Sequence, residues 1–296
     1  MNILIIGSCG FIGSHLCDFF EQNHFVYGVD LIKSTRNNFS LITSNLDGLD
    51  KLFITHCFDV CINASGNGSV SISMENPFLD FERNTHTVAK ILELIRTLSP
   101  SCKYINLSTA GVYGNPVKLP ISETDRLSPI SPYGFHKYCS ELLCEEYSKI
   151  FGISTINLRL FSIYGERLKK QLFWDIFQKT CISNRIELYG TGNETRDFIY
   201  IKDLVYAIDC VIKYATFNGN TVNVASGKEI TIQEASSIFC SCLDKDIEIE
   251  FNQKTKQGDP VKWRADISIL KTLHFESQYT INEGLKSTVQ WLKENK

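Results

Sequence analysis

The chain has no apolar run of the roughly 18–20 residues that a bilayer-spanning helix requires, so no such span is expected. It has no basic excess either. Its 30 Lys and Arg stand against 33 Asp and Glu, for a net charge of −3, which argues against a nucleic-acid-binding surface. Met1-Asn2 leads straight into a strand, with no basic n-region and no small-residue cleavage site, so no signal peptide is expected. Among eleven cysteines none forms C-x-x-C and no two pairs have zinc spacing, so no metal site is expected. Several, such as Cys61 and Cys210, fall in apolar segments where a thiol behaves as a small hydrophobe. Reduced, structural thiols imply a cytoplasmic protein. There is no internal repeat, no low-complexity segment and no Pro/Gly/Ser-rich linker, so any second lobe should be interleaved with the first.

What is present reads as alternating strands and helices. The run Ile3-Leu-Ile-Ile6 suits a buried parallel strand. Phe11, Ile12, Leu16 and Phe19-Phe20 follow at helical spacing, and Phe25 to Val29 forms a second strand ending at Asp30. Val60-Cys-Ile62 is a short strand. A single helix is expected from Pro77, a good first-turn residue, to about Leu98. Lys103 to Leu107 is a strand ending at Ser108-Thr109, a helix opens at Tyr133 and reaches about Ile150, and Ser154 to Leu160 is the next strand. This alternation calls for an α/β fold: a doubly wound parallel sheet with helices on both faces. After about residue 165 the pattern loosens. Phe173–Thr180 and Lys202–Tyr214 read as helices, Ile186–Tyr189 as a strand, and 228–296 as short mixed elements.

Two motifs carry chemistry. The first is Gly7-x-x-Gly10-x-x-Gly13, placed after a strand and opening a helix, the context that makes it a dinucleotide fingerprint. Gly7 permits the tight turn, Gly10 the approach of a pyrophosphate, and Gly13 close helix–sheet packing. The N–H groups of the helix start, at Phe11 and Ile12, face the phosphates. Asp30 stands where a carboxylate holds the ribose hydroxyls of NAD and repels a 2′-phosphate, which favours NAD(H). Lys33 and Arg36 are near enough to soften that preference and keep NADP(H) open.

The second motif is Tyr133-x-x-x-Lys137. Positions i and i+4 share a helix face, so both side chains can enter one cleft. A phenol near pKa 10 is a poor base at neutral pH, and an adjacent ammonium is expected to lower that value. Tyr133 can then exchange the proton of a carbinol oxygen as hydride moves at its carbon, and Lys137 can also hold a cofactor ribose hydroxyl. Ser108 or Thr109, at a strand's C-terminal end, could hold the same substrate oxygen. Tyr113 fits substrate contact or packing equally well.

By these residues the chain resembles the extended short-chain dehydrogenase/reductase family, in its NAD-dependent epimerase/dehydratase branch acting on nucleotide sugars. The likeness runs nearly end to end. It implies a Rossmann-type domain over 1–165 with a return segment at about 198–225, and a smaller sugar-nucleotide lobe over 166–197 and 226–296. It makes Asn84 a structural asparagine beside the active site. It places Ser162 and Arg196 against the substrate, Arg196 as a fork on the diphosphate, with Lys256 and Asp259 in a late segment near the nucleotide. The partner it implies is a nucleoside-diphosphate sugar, in a homodimer. Ala110-Gly111 follows the hydroxyl residue where family dehydratases carry Asp-Glu, which speaks against 4,6-dehydration. Ser162 stands where many 4-epimerases have asparagine, and a serine offers fewer donors. On that ground the leading expectation is reduction of a 4-keto-6-deoxyhexose at C4, and the alternative is a 4-epimerase.

Overall fold

The structure, a computed structural model, describes residues 1–254, 258 and 260–295. It divides into two compact units: Met1–Gly114, Leu127–Leu160 and Ile212–Val222 form the first, and Asn115–Arg126, Phe161–Val211 and Asn223–Lys296 the second. Among the described residues no helix is long and apolar enough to cross a membrane, and all eleven cysteines are free thiols.

The first unit is built on a seven-stranded sheet whose last strand in sequence ends two residues past the unit's boundary. Its strands are β1 (Asn2–Ile6), β2 (Phe25–Asp30), β3 (Phe39–Leu41), β4 (Val60–Asn63), β5 (Lys103–Thr109), β6 (Thr155–Leu160) and β7 (Thr221–Val224). Their spatial order is β7-β6-β5-β4-β1-β2-β3. The pairs from β3 through β6 are parallel. Asn157 N–H bonds the Asn220 carbonyl and Phe161 N–H the Val224 carbonyl, so β7 runs the same way. Both faces are covered, and the apolar run of β1 is accordingly fully buried. This is the doubly wound Rossmann-type sheet, with its order reversing between β1 and β4, where such sheets bind ligands.

Helices α1 (Phe11–Phe20), α2 (Leu49–Thr55), α3 (Val70–Glu75), α4 (Pro77–Phe81), α5 (Thr87–Leu98) and α6 (Pro132–Phe151) complete this unit. The long helix α6 has clear stops. The Ser131 hydroxyl accepts from Gly134 N–H at 3.2 Å, Pro132 occupies the first turn, and Gly152 ends the helix at φ 69°. Its buried face reads Gly134, Lys137, Ser140, Glu141, Cys144. Two charged residues on a buried face are costly unless partnered, and they mark this helix as more than packing.

The helix expected over 77–98 is present without a break, but it is not regular. Between α4 and α5 lies a π-turn, Glu82–His86, in which Thr87 N–H reaches back five residues to the Glu82 carbonyl. The extra residue in the turn accompanies burial of two polar side chains, Asn84 and Thr85.

In the second unit, parallel pairs join 162–164 to 198–200 and 185–188 to 248–251, and an antiparallel pair joins 195–196 to 230–231. Asp197 is its polar anchor. Its fully buried carboxylate accepts from Ser226 N–H (2.9 Å), Ser226 Oγ (2.7 Å), Gly227 N–H (3.0 Å) and Ala265 N–H (3.1 Å). Asp197→Ala strands those donors and is expected to cost about 2–3 kcal/mol, the range for buried polar groups left unpaired. All three tryptophans lie in this unit, so urea unfolding followed by tryptophan fluorescence reads the loss directly.

Candidate active site

The turn between β1 and α1 needs its glycines for space as much as for backbone freedom. At Gly7 (φ 82°) a Cβ would stand 2.7 Å from Ser65 N, and at Gly13 one would stand 2.0 Å from the Gly7 carbonyl oxygen. A Cβ at Gly10 would meet only the Gly7 oxygen, at 3.2 Å, so the outer side of the turn is open to a ligand. Gly10 also caps α1 without a side-chain acceptor, which leaves the N–H groups of Phe11 and Ile12 directed at that space. These features fit a pyrophosphate.

Asp30, at the end of β2, closes the turn. Its Oδ2 accepts from Cys9 N–H at 2.8 Å, and its Oδ1 from Leu31 N–H (2.7 Å) and Ile32 N–H (3.2 Å). A carboxylate has about four acceptor sites, so capacity for a ribose hydroxyl remains. Arg36 is half-buried, and its guanidinium is tied to Asp18 on α1 and to Glu21, which caps that helix. Replacing Asp30 with asparagine is expected to weaken NAD binding by about 10- to 100-fold, in line with the roughly 1.5–3 kcal/mol of a charged hydrogen bond, measured by equilibrium dialysis.

The C-terminal end of β5 and the start of α6 build the acid/base site. After Thr109 the chain makes a tight turn, Ala110–Val112, whose Gly111 N–H donates to Thr109 Oγ1 at 3.1 Å. A Cβ at Gly111 would lie 3.4 Å from Thr109 Oγ1 and 3.8 Å from a Tyr133 ring carbon. The hydroxyl, the turn and the phenol thus converge. Lys137 is buried and donates from Nζ to the Leu107 carbonyl at 3.0 Å.

Electrostatics correct one expectation. The Tyr133 phenol is not lowered in the chain alone: burial pushes it up to about 12, against the opposing Thr109 hydroxyl. Burial also pushes the Lys137 ammonium down to about 8, with Asp80 and Glu141 holding it up.

The two hydroxyls considered for the substrate oxygen are divided. Thr109 faces Tyr133, whereas Ser108 Oγ donates to Glu141 Oε1 at 2.5 Å. Glu141 in turn pairs bidentately with Arg159 (Nε–Oε1 3.0 Å, Nη2–Oε2 2.7 Å). Arg159 Nη1 donates to Tyr113 Oη at 2.9 Å, and its guanidinium lies 4.8 Å from the Tyr113 ring centre. Tyr113 is fully buried, the geometry of a packed residue.

In the second unit Ser162 N–H donates to the Asp197 carbonyl at 3.0 Å. Arg196 donates to the Thr195 carbonyl at 2.8 Å and lies 5.7 Å from the Trp263 ring centre. Lys256 and Asp259 fall outside the described residues.

Sequence reasoning missed Glu141, Arg159, Asp80 and His136. The first had a readable signal: Glu141 follows Lys137 by four residues, on the face that carries Tyr133.

Comparison with known proteins agrees with this geometry. A Bacillus subtilis (strain 168) protein named as an uncharacterized UDP-glucose epimerase is 30% identical, over 99% of this chain and 98% of its own length. A UDP-glucuronate 4-epimerase of Thermodesulfobacterium geofontis is 29% identical, over 99% and 96%. The crystal structure of a Bacillus cereus UDP-glucuronic acid 4-epimerase, in complex with UDP-glucuronic acid and NAD, superposes with a TM-score of 0.91 over the whole of both chains at 26% identity. The model of the NAD dependent epimerase/dehydratase family matches residues 3–225, the stretch that holds the glycine turn and the Tyr133–Lys137 pair, and the chain belongs to that family.

Proposed function

We propose that the protein is an NAD-dependent 4-epimerase of a UDP-sugar. The observation that carries the reading is the single acid/base, Tyr133, set against Thr109 beside a turn that bears no carboxylate. Such a site serves oxidation and reduction at one carbon and lacks the second acid/base that elimination of water requires. Between the two reactions at C4, the near full-length relatives named as 4-epimerases favour epimerisation.

The turn from Gly7 to Gly13 and the start of α1 hold the pyrophosphate, Asp30 the adenosine ribose, and Lys137 the other ribose. NAD, when bound, supplies the hydride acceptor and donor. Tyr133 takes the proton of the sugar's C4 hydroxyl and later returns it, and Thr109 orients that oxygen. The 4-keto sugar turns and is reduced on its other face. A second reading, reduction of a 4-keto-6-deoxyhexose, uses the same residues and is favoured by Ser162 in place of an asparagine. The homodimer expected from the family is part of this proposal, tested by light scattering.

The deciding assay incubates the protein with catalytic NAD and UDP-glucose, UDP-galactose, UDP-glucuronate or UDP-N-acetylglucosamine. The C4 epimer is followed by NMR and the nicotinamide by absorbance. An epimer formed without net NADH is the expected result. Stoichiometric loss of NADH with a 4-keto sugar alone would transfer the assignment to the reductase, and neither result would sink both.

A further inference from the structure

Asp80 lies in α4, and its side chain is completely buried. Its carboxylate collects donors from three segments. Oδ2 accepts from His136 Nδ1 at 2.7 Å, and Oδ1 accepts from Asn84 Nδ2 and from Asn67 Nδ2, each at 3.0 Å. A carboxylate only accepts, so Nδ1 of His136 carries the proton. Asn67 is in the loop after β4, Asn84 is in the π-turn, and His136 sits on α6 between Tyr133 and Lys137.

The three segments are locked further around this group. Asn84 Oδ1 accepts from Asn67 N–H at 3.2 Å, and Asn84 Nδ2 donates to the Asn67 carbonyl at 3.2 Å. Thr85 Oγ1 donates to the His136 carbonyl at 2.9 Å. A well-packed apolar residue would join two helices at lower cost than a desolvated carboxylate. The charge therefore needs a reason beyond packing.

That reason is close by. Lys137 Nζ donates to the Leu107 carbonyl of β5, and the charges of Asp80 on α4 and of Glu141 on its own helix favour its protonated form. The Tyr133 hydroxyl bonds the Thr109 hydroxyl of β5, and the charge of Asp80 favours its protonated form. Among the described residues, Asp80 is the charge that bears on both members of the pair.

We propose that Asp80 is a positioning residue for the reaction: through His136 it fixes the first turns of α6, and with them the Tyr133 hydroxyl and the Lys137 ammonium, while its charge compensates that of Lys137. The inference deepens the functional reading above and rests on it for its activity readouts.

Asp80→Asn keeps the shape and removes the charge. The folded variant is expected to show kcat lower by about 10²-fold, the scale of a small misplacement of reacting groups. Because a neighbouring anion raises the proton affinity of both groups, both limbs of its pH–kcat profile should move to lower pH. A purely structural residue would lower the folded fraction and leave that profile in place. Folded Asp80→Asn with wild-type kcat and profile overturns the proposal. Should Asp80→Asn not fold, His136→Gln, which keeps an N–H donor, is expected to retain most activity and His136→Leu to lose it; equal activities overturn the proposal. Absence of turnover in wild type with every UDP-sugar would mean that the functional reading has failed. Amide hydrogen exchange over Phe135–Tyr138 then decides: faster exchange in Asp80→Asn or His136→Leu supports the positioning role, and unchanged exchange overturns it.

Discussion

Tyr133→Phe is expected to lower kcat by about 10³-fold, inside the 10²–10⁴ that a positioned acid or base contributes, with NAD affinity unchanged. The substitution deletes one oxygen and leaves the ring beside Gly111, so the turn and the start of α6 keep their packing. In the chain alone the phenol is held at about 12 by burial, so at neutral pH it is a proton donor. To act as a base it must be helped by positive charge in the assembled site, and Lys137, four residues along α6, is the group proposed to supply it. Equal kcat in the variant would remove Tyr133 as the acid/base.

A pH series separates the roles of the pair. Lys137 is held at about 8, against 10.5 for an ordinary lysine, so kcat/KM, which reports the free enzyme, is expected to fall as pH rises through about 8. Stability moves the other way. The unfolded chain keeps this proton up to about 10.5 and the folded chain releases it near 8. Between those values the unfolded state binds more protons, and the Lys137 contribution to stability rises with pH. Activity lost above pH 8 from protein that remains folded by circular dichroism therefore belongs to the site and not to unfolding.

The parts of this site that were legible in the sequence are those written in short-range patterns. The glycine turn between β1 and α1, and the Thr109 and Tyr133–Lys137 positions at β5 and α6, each depend on residues a few positions apart. The parts that were not legible depend on contacts made across the fold. The four-residue strand β7 is recognised only by its pairing with β6, more than sixty residues earlier in the chain. The π-turn leaves the apolar spacing of 77–98 close to that of an ordinary helix, and its clue is polar: Asp80 and Asn84, four apart, are both buried. Burial was likewise the missing quantity for Lys137. A lysine four residues from a tyrosine suggests an ammonium acting on a phenol, and the sequence does not say that both are desolvated strongly enough for burial to dominate.

The same buried face makes the second prediction. Glu141→Ala is expected to destabilise the first unit by about 3–5 kcal/mol, the cost of stranding one member of a buried ion pair. Glu141 and Arg159 are 4% and 5% exposed, too enclosed for water to replace the lost partner. The Ser108 hydroxyl loses its acceptor as well. Glu141→Leu combined with Arg159→Met removes both charges and fills the space, so the double variant should be more stable than either single one; a double-mutant cycle in urea measures this coupling. Additive losses would show that the pair contributes no more than its separate packing. Glu141 also bears on Lys137, one turn earlier on α6, and helps to hold its proton. In the folded double variant the alkaline fall of kcat/KM should therefore shift to lower pH even where stability is recovered, which ties an ion pair remote from the reacting oxygen to the chemistry at Tyr133.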